Sequence, residues 1–335
     1  MPYEFASAEN IGDRKEQQDR VVLATHPRHP ETVIAVLADG MGGHMGGALA
    51  SQAVVDAVLP VFESFEPGTG APADWLKGMM QAAHERVARA GKGFNRDPRS
   101  TCVIALAQKH RIDWAHCGDS RLYLFRDGRF MRRTVDHSMV EILLEQGKIS
   151  EDDVATHPDR SKLYSSLGGP EAPQVLFDSL EPLTPQDTLL LASDGLWAYF
   201  RSRELAALIG YRGLTAACDR LVELARRRAA GNGDNLTVAL VRNAGGKKGL
   251  LGNLFAGKPP PQPSPLEDCR RFLAAYLESA PGPQASALAM RVAQCSDVQS
   301  MQQLIEQSGA TFQSMTSREK ATRFAERSLD LLLTQ

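Results

Sequence analysis

The chain has 335 residues, 43% of them hydrophobic and 23% charged, with a formal net charge of −2. Such a composition is typical of a globular protein with room for one large domain and a smaller one. The near-neutral charge gives no reason to expect nucleic acid or an anionic membrane as a partner. No apolar run approaches the roughly 20 residues of a membrane-spanning helix. The first ten residues, MPYEFASAEN, lack the basic and apolar regions of a signal peptide.

The cysteines indicate a compartment. The chain has five, far apart and without a C-x-x-C pair: Cys102, Cys117, Cys218, Cys269 and Cys295. An odd number of scattered cysteines favours free thiols over disulfides and argues against a zinc site. We therefore expect a cytoplasmic location.

The first part of the chain mixes strands and helices. Apolar runs predict strands at 20–26 and 33–38, and helical periodicity predicts helices at 48–65 and 71–91, separated by EPGTGAP. Further strands are predicted at 101–107, 112–116, 121–125 and 129–134, with Asp127-Gly128 as a hairpin turn. Strands in succession and helices in pairs indicate an α+β sandwich of antiparallel sheets covered by helical hairpins, over residues 1–243.

The composition changes abruptly after residue 243. Residues 244–265 are rich in glycine and proline, which predicts a linker that is flexible at first and stiff at its end. Residues 266–335 have helical patterns only, with Leu266, Cys269, Leu273 and Leu277 on one face. We expect a small all-α bundle there. It has no catalytic constellation, so we expect a regulatory or interaction role.

Acidic residues recur where predicted strands end or begin. The stretch VIAVLADGMGGHMGG takes an apolar strand into Asp39 and a glycine-rich turn. Taken alone, Asp-Gly after a strand is usually just a turn. The pattern is repeated, however, at Asp119, Asp194 and Asp234. Four such aspartates are better explained by a shared metal site than by four independent turns.

The ligand types indicate the chemistry of this site. Aspartate carboxylates and backbone carbonyls favour hard ions such as Mg²⁺ or Mn²⁺. A pair of such ions lowers the pKa of a bridging water and supplies a nucleophile near neutral pH. Carboxylates, metals and glycines together point to phosphate chemistry, which needs a cation for the phosphate and an acid for the leaving oxygen. Arg14 and His44 lie beside candidate ligands and are of the right types.

Six motifs in order carry a family resemblance. They are R-x-x-x-Q-D from Arg14, ADGMGGH from Ala38, GDSR-x-Y from Gly118, D-H-S from Asp136, SDGLW from Ser193 and DN-x-T-V from Asp234. Together they resemble the metal-dependent protein phosphatases of type 2C, in particular the compact bacterial members, over roughly residues 1–243. The resemblance implies a sandwich of two antiparallel sheets flanked by helix pairs, with metals at one edge.

The resemblance also implies roles for individual residues. Asp39 would bridge two metals and Gly40 would offer its carbonyl to one of them, while Asp194 and Asp234 would complete the ligands of the other metal. Asp119 would hold a weaker third ion. Gln18 would reach a metal through water, and Asp19 would lie in or just behind the ligand shell. Arg14 would clamp the substrate phosphate, His44 would protonate the leaving oxygen, and Asn235 would fix Asp234.

The implied reaction is hydrolysis of phosphoserine or phosphothreonine by direct attack of a metal-bridging water. It implies phosphoprotein substrates and a cognate Ser/Thr kinase, with a partner or a second copy of the chain on the C-terminal bundle. One alternative is an inactive or weak phosphatase-like scaffold that binds phosphoproteins, although that class is expected to lack a metal aspartate. Another is a phosphatase of a phosphorylated regulator such as an anti-sigma antagonist.

Two segments of the sequence bear on how a substrate reaches the site. Arg99 stands where the family commonly has glycine. Residues 144–169 match the family's variable flap, in which His157 and Arg160 are interpreted as mobile surface residues that could contact substrate. Asp136-His137 is interpreted as a structural turn, and His137 as not catalytic.

Overall fold

The computed structural model describes residues 3–42, 46–91, 97–181, 184, 187–210, 213–244, 266, 269–270, 273, 277, 283–308 and 311. The chain divides into two compact units, residues 1–248 and 249–335. Each is described by itself.

The first unit contains two sheets in which neighbouring strands run antiparallel. One has five strands in the spatial order β1 (Tyr3–Asn10), β12 (Leu236–Asn243), β11 (Thr188–Ala192), β7 (Arg121–Arg126) and β8 (Arg129–Arg133). The other has the order β10 (Leu176–Leu180), β6 (Arg111–Cys117), β5 (Cys102–Gln108), β3 (Val33–Met41), β4 (Arg99–Ser100) and β9 (Leu167–Gly168), with β2 (Asp19–Thr25) also paired with β3.

Helices cover the outer faces of both sheets. The seven-stranded sheet packs against α1 (Gly46–Glu63) and α2 (Pro72–Gly91) through buried side chains such as Val54 and Met79. The five-stranded sheet packs against α5 (Asp194–Trp197), α6 (Ser202–Ile209) and α7 (Leu214–Ala229). Two short helices, α3 (Met139–Glu145) and α4 (Glu151–Val154), belong to the segment between β8 and β9.

Besides the two apolar clusters between each sheet and its helices, a third apolar core fills the space between the sheets. It contains alternate residues of the buried strands, among them Leu37, Trp114 and Leu191. Alternation is required because successive side chains of a strand point to opposite faces. The result is a four-layer α/β/β/α sandwich, and the predicted fold class is confirmed.

Several predicted boundaries change in the structure. The second strand of the chain begins at Asp19, and β3 continues to Met41, so Asp39 and Gly40 lie inside β3 rather than after its end. Asp194 is the first residue of α5 rather than part of a turn. The Asp127-Gly128 turn is confirmed, since both residues have positive φ (49° and 70°), as a two-residue hairpin of type I′ requires.

The strand β1 was not predicted. Its residues alternate between exposed and half-buried positions with few large apolar side chains, so the sequence gives a weak strand signal. The two-residue strands β4 and β9 likewise carry no periodic signal.

In the second unit the described helices are α8 (Pro283–Gln294) and α9 (Val298–Gln307). The predicted helical face is confirmed, because Leu266, Cys269, Leu273 and Leu277 share one apolar cluster with residues of α8 and α9. The part of the predicted all-α bundle at residues 312–335 lies outside the described residues. The domain limits at 243 and 265 stay a prediction.

Candidate metal centre

Asp19 and Asp39 are direct cross-strand partners on β2 and β3. Asp39 is held at its backbone by Thr101, whose N–H donates to the Asp39 carbonyl (2.9 Å) and whose hydroxyl oxygen accepts from the Asp39 N–H (3.0 Å). Asp19 is buried and accepts a hydrogen bond from the Ser193 hydroxyl (2.8 Å). Because Ser193 immediately precedes Asp194, this bond joins the second sheet to α5.

Asp194 and Asp234 are brought together by a close approach of two backbones. A Cβ atom added to Gly195 would lie 2.0 Å from the carbonyl oxygen of Asn235, so no other residue fits there. A Cβ atom on Gly12 would lie 2.1 Å from the carbonyl oxygen of Asp234. Gly195 of the SDGLW motif and Gly12, just before Arg14, therefore allow the segment that carries Asp234 to approach both neighbouring backbones.

The Asn235 side chain fastens the segment that carries Arg14. Its amide nitrogen donates to the carbonyls of Ile11 (2.8 Å) and Glu16 (3.0 Å), and its oxygen accepts from the Gln18 N–H (2.7 Å). These three bonds hold the loop between β1 and β2 against the start of β12. Asn235 thus positions this loop as well as the turn at Asp234, since the Asn235 N–H donates to Asp234 Oδ1 (2.8 Å).

Asp119 lies in the turn between β6 and β7 and is buried. Its carbonyl accepts from the Trp197 indole N–H (2.9 Å), and the Arg121 guanidinium lies 3.5 Å from the centre of the Trp197 ring. Arg121 in turn binds Asp136 with a buried pair of hydrogen bonds. The GDSR, D-H-S and SDGLW motifs are therefore one contiguous structure.

The acids change one another's protonation. The pKa of Asp39 is raised well above its usual value. The larger cause is loss of hydration on burial, and repulsion from Asp19 and Asp194 adds to it. Loss of hydration is also the largest cause that raises the pKa of Asp119, that of Asp19 to about 7 and that of Asp194 to about 6, with smaller repulsion from Asp194 on the first two and from Asp234 on Asp194. Each pKa is raised by a neighbouring acid of the group, so the structure gathers these acids into one cluster of repelling carboxylates.

This cluster has the chemistry of a site for hard divalent cations, since its donors are all oxygens and its carboxylates repel one another. Among the residues that the structure describes, no three acids already enclose a common point tightly enough to hold an ion. Asp234 instead receives a 2.6 Å hydrogen bond from Arg14 Nη2. The donor set fits Mn²⁺ or Mg²⁺, and in this conformation Asp234 is paired with the arginine.

The start of α1 packs closely on Gly40. A Cβ atom on Gly40 would lie 1.9 Å from the carbonyl oxygen of Gly47, and one on Gly47 would lie 2.6 Å from Gln18 Oε1. Gln18 and Gly40 are therefore adjacent, as their suggested roles require. His44 lies outside the described residues.

The flap arginine is the residue that sequence reasoning undervalued. Positive charge on Arg160 lowers the pKa of Asp194 against the larger effect of burial, so this flap side chain lies within electrostatic range of Asp194. Its Nη1 donates to the Ala155 carbonyl (2.8 Å) and so stiffens the flap. The His157 ring accepts from the Asp159 N–H (3.1 Å) and its carbonyl accepts from the Arg160 N–H (3.1 Å), both within the flap, which agrees with a surface residue. A basic residue in a variable segment offers no periodic signal that would have indicated this.

Arg99 does not enter the acidic cluster. Its guanidinium binds Asp97 (2.7 and 3.0 Å) and lies over Gly169, at the end of the flap. Arg99, at the position where the family commonly has glycine, therefore contacts the end of the flap at Gly169.

The geometry defines a carboxylate-lined centre at one edge of an α/β/β/α sandwich. The family model for protein phosphatase 2C matches residues 8–229. A protein of Streptococcus pyogenes named as a 2C-type protein phosphatase is 33% identical over 63% of this chain and 85% of its own length. The chain belongs to the protein phosphatase 2C family, whose members are metal-dependent serine/threonine protein phosphatases acting on phosphoproteins.

Two further comparisons extend this result. The serine/threonine protein phosphatase PstP of Mycobacterium tuberculosis is 32% identical over 62% of this chain and 40% of its own length. The crystal structure of the PstP catalytic domain in complex with two manganese ions has a TM-score of 0.62 and 27% identity, covering 72% of this chain and 97% of that one. A divalent metal is therefore the cofactor of this fold. No helix among the described residues is long and apolar enough to cross a membrane.

Proposed function

We propose that this chain hydrolyses phosphoserine and phosphothreonine in proteins by direct attack of water, at a centre of two Mn²⁺ or Mg²⁺ ions with a weaker third. The observation that carries the proposal is the cluster of Asp39, Asp119, Asp194 and Asp19, whose pKa values are raised by removal from water and by one another. Buried carboxylates that repel one another destabilise the folded protein, and bound cations would remove that repulsion. The cluster is therefore best explained as a cation site.

The chain's own residues divide the work. Asp39, the Gly40 carbonyl, Asp194 and Asp234 would hold the two ions, and Asp119 the third. When bound, the ions supply Lewis acidity and lower the pKa of water toward neutrality. Gln18 would reach a metal through water, and Asp19 would lie in or just behind the ligand shell.

Substrate binding falls to the basic residues at the rim. The Arg14 side chain is 61% exposed and binds Asp234 through Nη2, so it can present donors to a phosphate. We assign His44 as the acid that protonates the departing serine or threonine oxygen. Arg160 adds a second positive charge from the flap side.

The wider context follows from the same chemistry. A phosphatase of this class reverses a Ser/Thr kinase, and we propose such a kinase as the functional counterpart. All five cysteines are free and buried, which supports action in the reducing cytoplasm. We propose residues 244–265 as a linker and 266–335 as a unit for a protein partner or self-association.

The inactive-scaffold alternative is disfavoured because the acids form one cluster rather than being dispersed. The regulator-phosphatase alternative shares every catalytic residue, so only the identity of the substrate distinguishes it.

The experiment compares hydrolysis of a phosphothreonine peptide by wild type, Asp39→Asn, Asp194→Asn and Asp113→Asn. Asp113 is a matched control because it is a buried acid paired with Arg111 (2.7 Å), outside the cluster. Wild type and Asp113→Asn should lose activity in EDTA and regain it with Mn²⁺, whereas the other two stay nearly inactive. Full activity of the chelated protein, shown to be metal-free by elemental analysis, would refute the metal mechanism. Phosphoproteomics of a strain carrying Asp194→Asn would then identify the substrates.

A further inference from the structure

His137 connects the turn that carries Asp119 to the flap. It follows Asp136 after β8, and its N–H donates to the Gly118 carbonyl (2.9 Å). The Gly118 N–H donates to His137 Nδ1 (3.0 Å). One residue therefore binds both the N–H and the carbonyl of the glycine immediately before Asp119.

The other side of this turn is fixed by Thr101. Gly118 has a φ of +103°, and a Cβ atom there would lie 2.7 Å from the Thr101 side chain. The Thr101 hydroxyl, which holds the Asp39 N–H, also bonds to Ser120 Oγ (2.7 Å). The peptide before Asp119 thus has one orientation only while both Thr101 and His137 keep their contacts.

The flap is attached to the same histidine. The His137 carbonyl accepts from the Tyr164 N–H (3.0 Å), and the two rings lie 5.5 Å apart. The neighbouring residues continue this link, since Met139 N–H donates to the Lys162 carbonyl (2.9 Å). The second half of the flap is therefore anchored to Gly118 through His137.

The hydrogen bonds also fix the tautomer. Because Nδ1 of His137 accepts from a backbone N–H, the ring proton is on Nε2. The ring stacks on that of His116 (5.0 Å between centres), whose Nε2 bonds to the Val135 carbonyl. His137 is 1% exposed and so does not touch substrate.

We infer that His137 is a positioning residue for the phosphatase reaction, orienting the Asp119 turn and coupling it to the flap through its Nδ1 acceptor and its backbone. This inference rests on the proposed function, because the reaction and the role of Asp119 in ion binding belong to that proposal. The residue acts through Gly118 and Tyr164 and has no chemical step of its own.

Two substitutions, His137→Asn and His137→Gln, test whether the position of the acceptor atom matters or only the presence of a polar side chain. In His137→Asn the side-chain oxygen can take the place of Nδ1, whereas in His137→Gln it lies one carbon further out. His26→Gln is the matched control, because His26 is also buried and its Nδ1 accepts from the N–H groups of Arg28 (3.2 Å) and His29 (3.1 Å), in the loop at the far end of β2 from Asp19.

The measurements are the half-saturating Mn²⁺ concentration and the KM for a phosphothreonine peptide. Residues that orient metal ligands typically change metal affinity by about 10–100-fold. We expect His137→Gln to raise the half-saturating Mn²⁺ concentration about 10-fold or more and to raise KM. His137→Asn should stay within about 3-fold of wild type. His26→Gln should lower the melting temperature without changing either constant.

Unchanged Mn²⁺ dependence in folded His137→Gln would overturn the inference, as would equal effects of the Asn and Gln substitutions. If His137→Gln does not fold, Tyr164→Ala decides the matter, since Tyr164 is 45% exposed and its ring packs on His137. We expect Tyr164→Ala, but not Tyr164→Phe, to raise the half-saturating Mn²⁺ concentration; no change would overturn the coupling. An inactive wild type at saturating Mn²⁺ would instead refute the proposed function.

Discussion

Asp19 and Asp39 stand directly opposite each other on β2 and β3, at the edge where the second sheet meets α5. Two carboxylates in this register repel each other, which is a destabilising cross-strand pair in the absence of a cation. The free energy of unfolding therefore depends on the pH, which sets whether these carboxylates are ionised, and on metal binding, which neutralises their repulsion.

The first prediction concerns this coupling. The pKa of Asp19 is raised from its usual value to about 7 in the folded protein. Its contribution to stability is therefore complete below its unfolded pKa of about 3.9 and is lost as the pH rises through about 7. In EDTA, wild type should melt at a lower temperature at about pH 8 than Asp19→Asn does, by several degrees. Mn²⁺ should raise the wild-type melting temperature more at pH 8 than at about pH 5. Identical pH profiles for the two proteins would contradict this.

The second prediction is that His44→Ala slows hydrolysis of phosphopeptides far more than that of p-nitrophenyl phosphate. A nitrophenolate leaves without a proton, whereas a serine or threonine alkoxide needs one, and a general acid contributes about 10²–10⁴-fold. Steady-state kinetics on both substrates test it, with the exposed His110→Ala as control. Equal losses on the two substrates would instead indicate a structural or metal-binding role.

The third prediction concerns Arg14, whose guanidinium is free to move from Asp234 to a phosphate. Lysine keeps the charge but loses the planar pair of donors, so Arg14→Lys should lower kcat/KM by about 10-fold and Arg14→Ala by about 100-fold. The exposed neighbour Lys15→Ala makes the same change in charge and should have little effect. If Lys15→Ala matches Arg14→Ala, the effect is one of net charge and not of a phosphate clamp.

The fourth prediction is that a chain ending after Lys248 folds and hydrolyses p-nitrophenyl phosphate at close to the full-length rate. Both sheets, including β12, end before this point, and the division into compact units falls there. Circular dichroism, thermal melting and kinetics of both lengths provide the check. An insoluble or inactive truncated protein would show that residues beyond Lys248 belong to the catalytic unit.

The fifth prediction is a loss of stability in acid that depends on His137. Removal from water, with repulsion from His116, lowers the pKa of His137 to about 4. Stability from the neutral ring is therefore complete above the unfolded pKa of about 6.5 and is lost as the pH falls through about 4. Because His137→Asn does not titrate, its melting temperature should fall less than that of wild type over this range. Parallel melting curves across the range would refute the assignment.

The sequence by itself determined the class of chemistry. Acids next to apolar strands, and glycines beside them, can be read locally, because a strand's pattern and a glycine's freedom are properties of short segments. The helical face of Leu266, Cys269, Leu273 and Leu277 was predictable for the same reason, since i, i+3 and i+4 neighbours lie within one turn or the next.

Only the tertiary structure decided which residues meet across long separations. The register of Asp19 with Asp39, the hold of Asn235 on the Arg14 loop, and the approach of Arg160 to Asp194 join segments far apart in the chain. So does the joining of Gly118 and Tyr164 by His137, which the sequence presented only as a turn. Such contacts depend on how two sheets and a flap pack together, and packing is set by the sum of many distant side chains rather than by any local pattern.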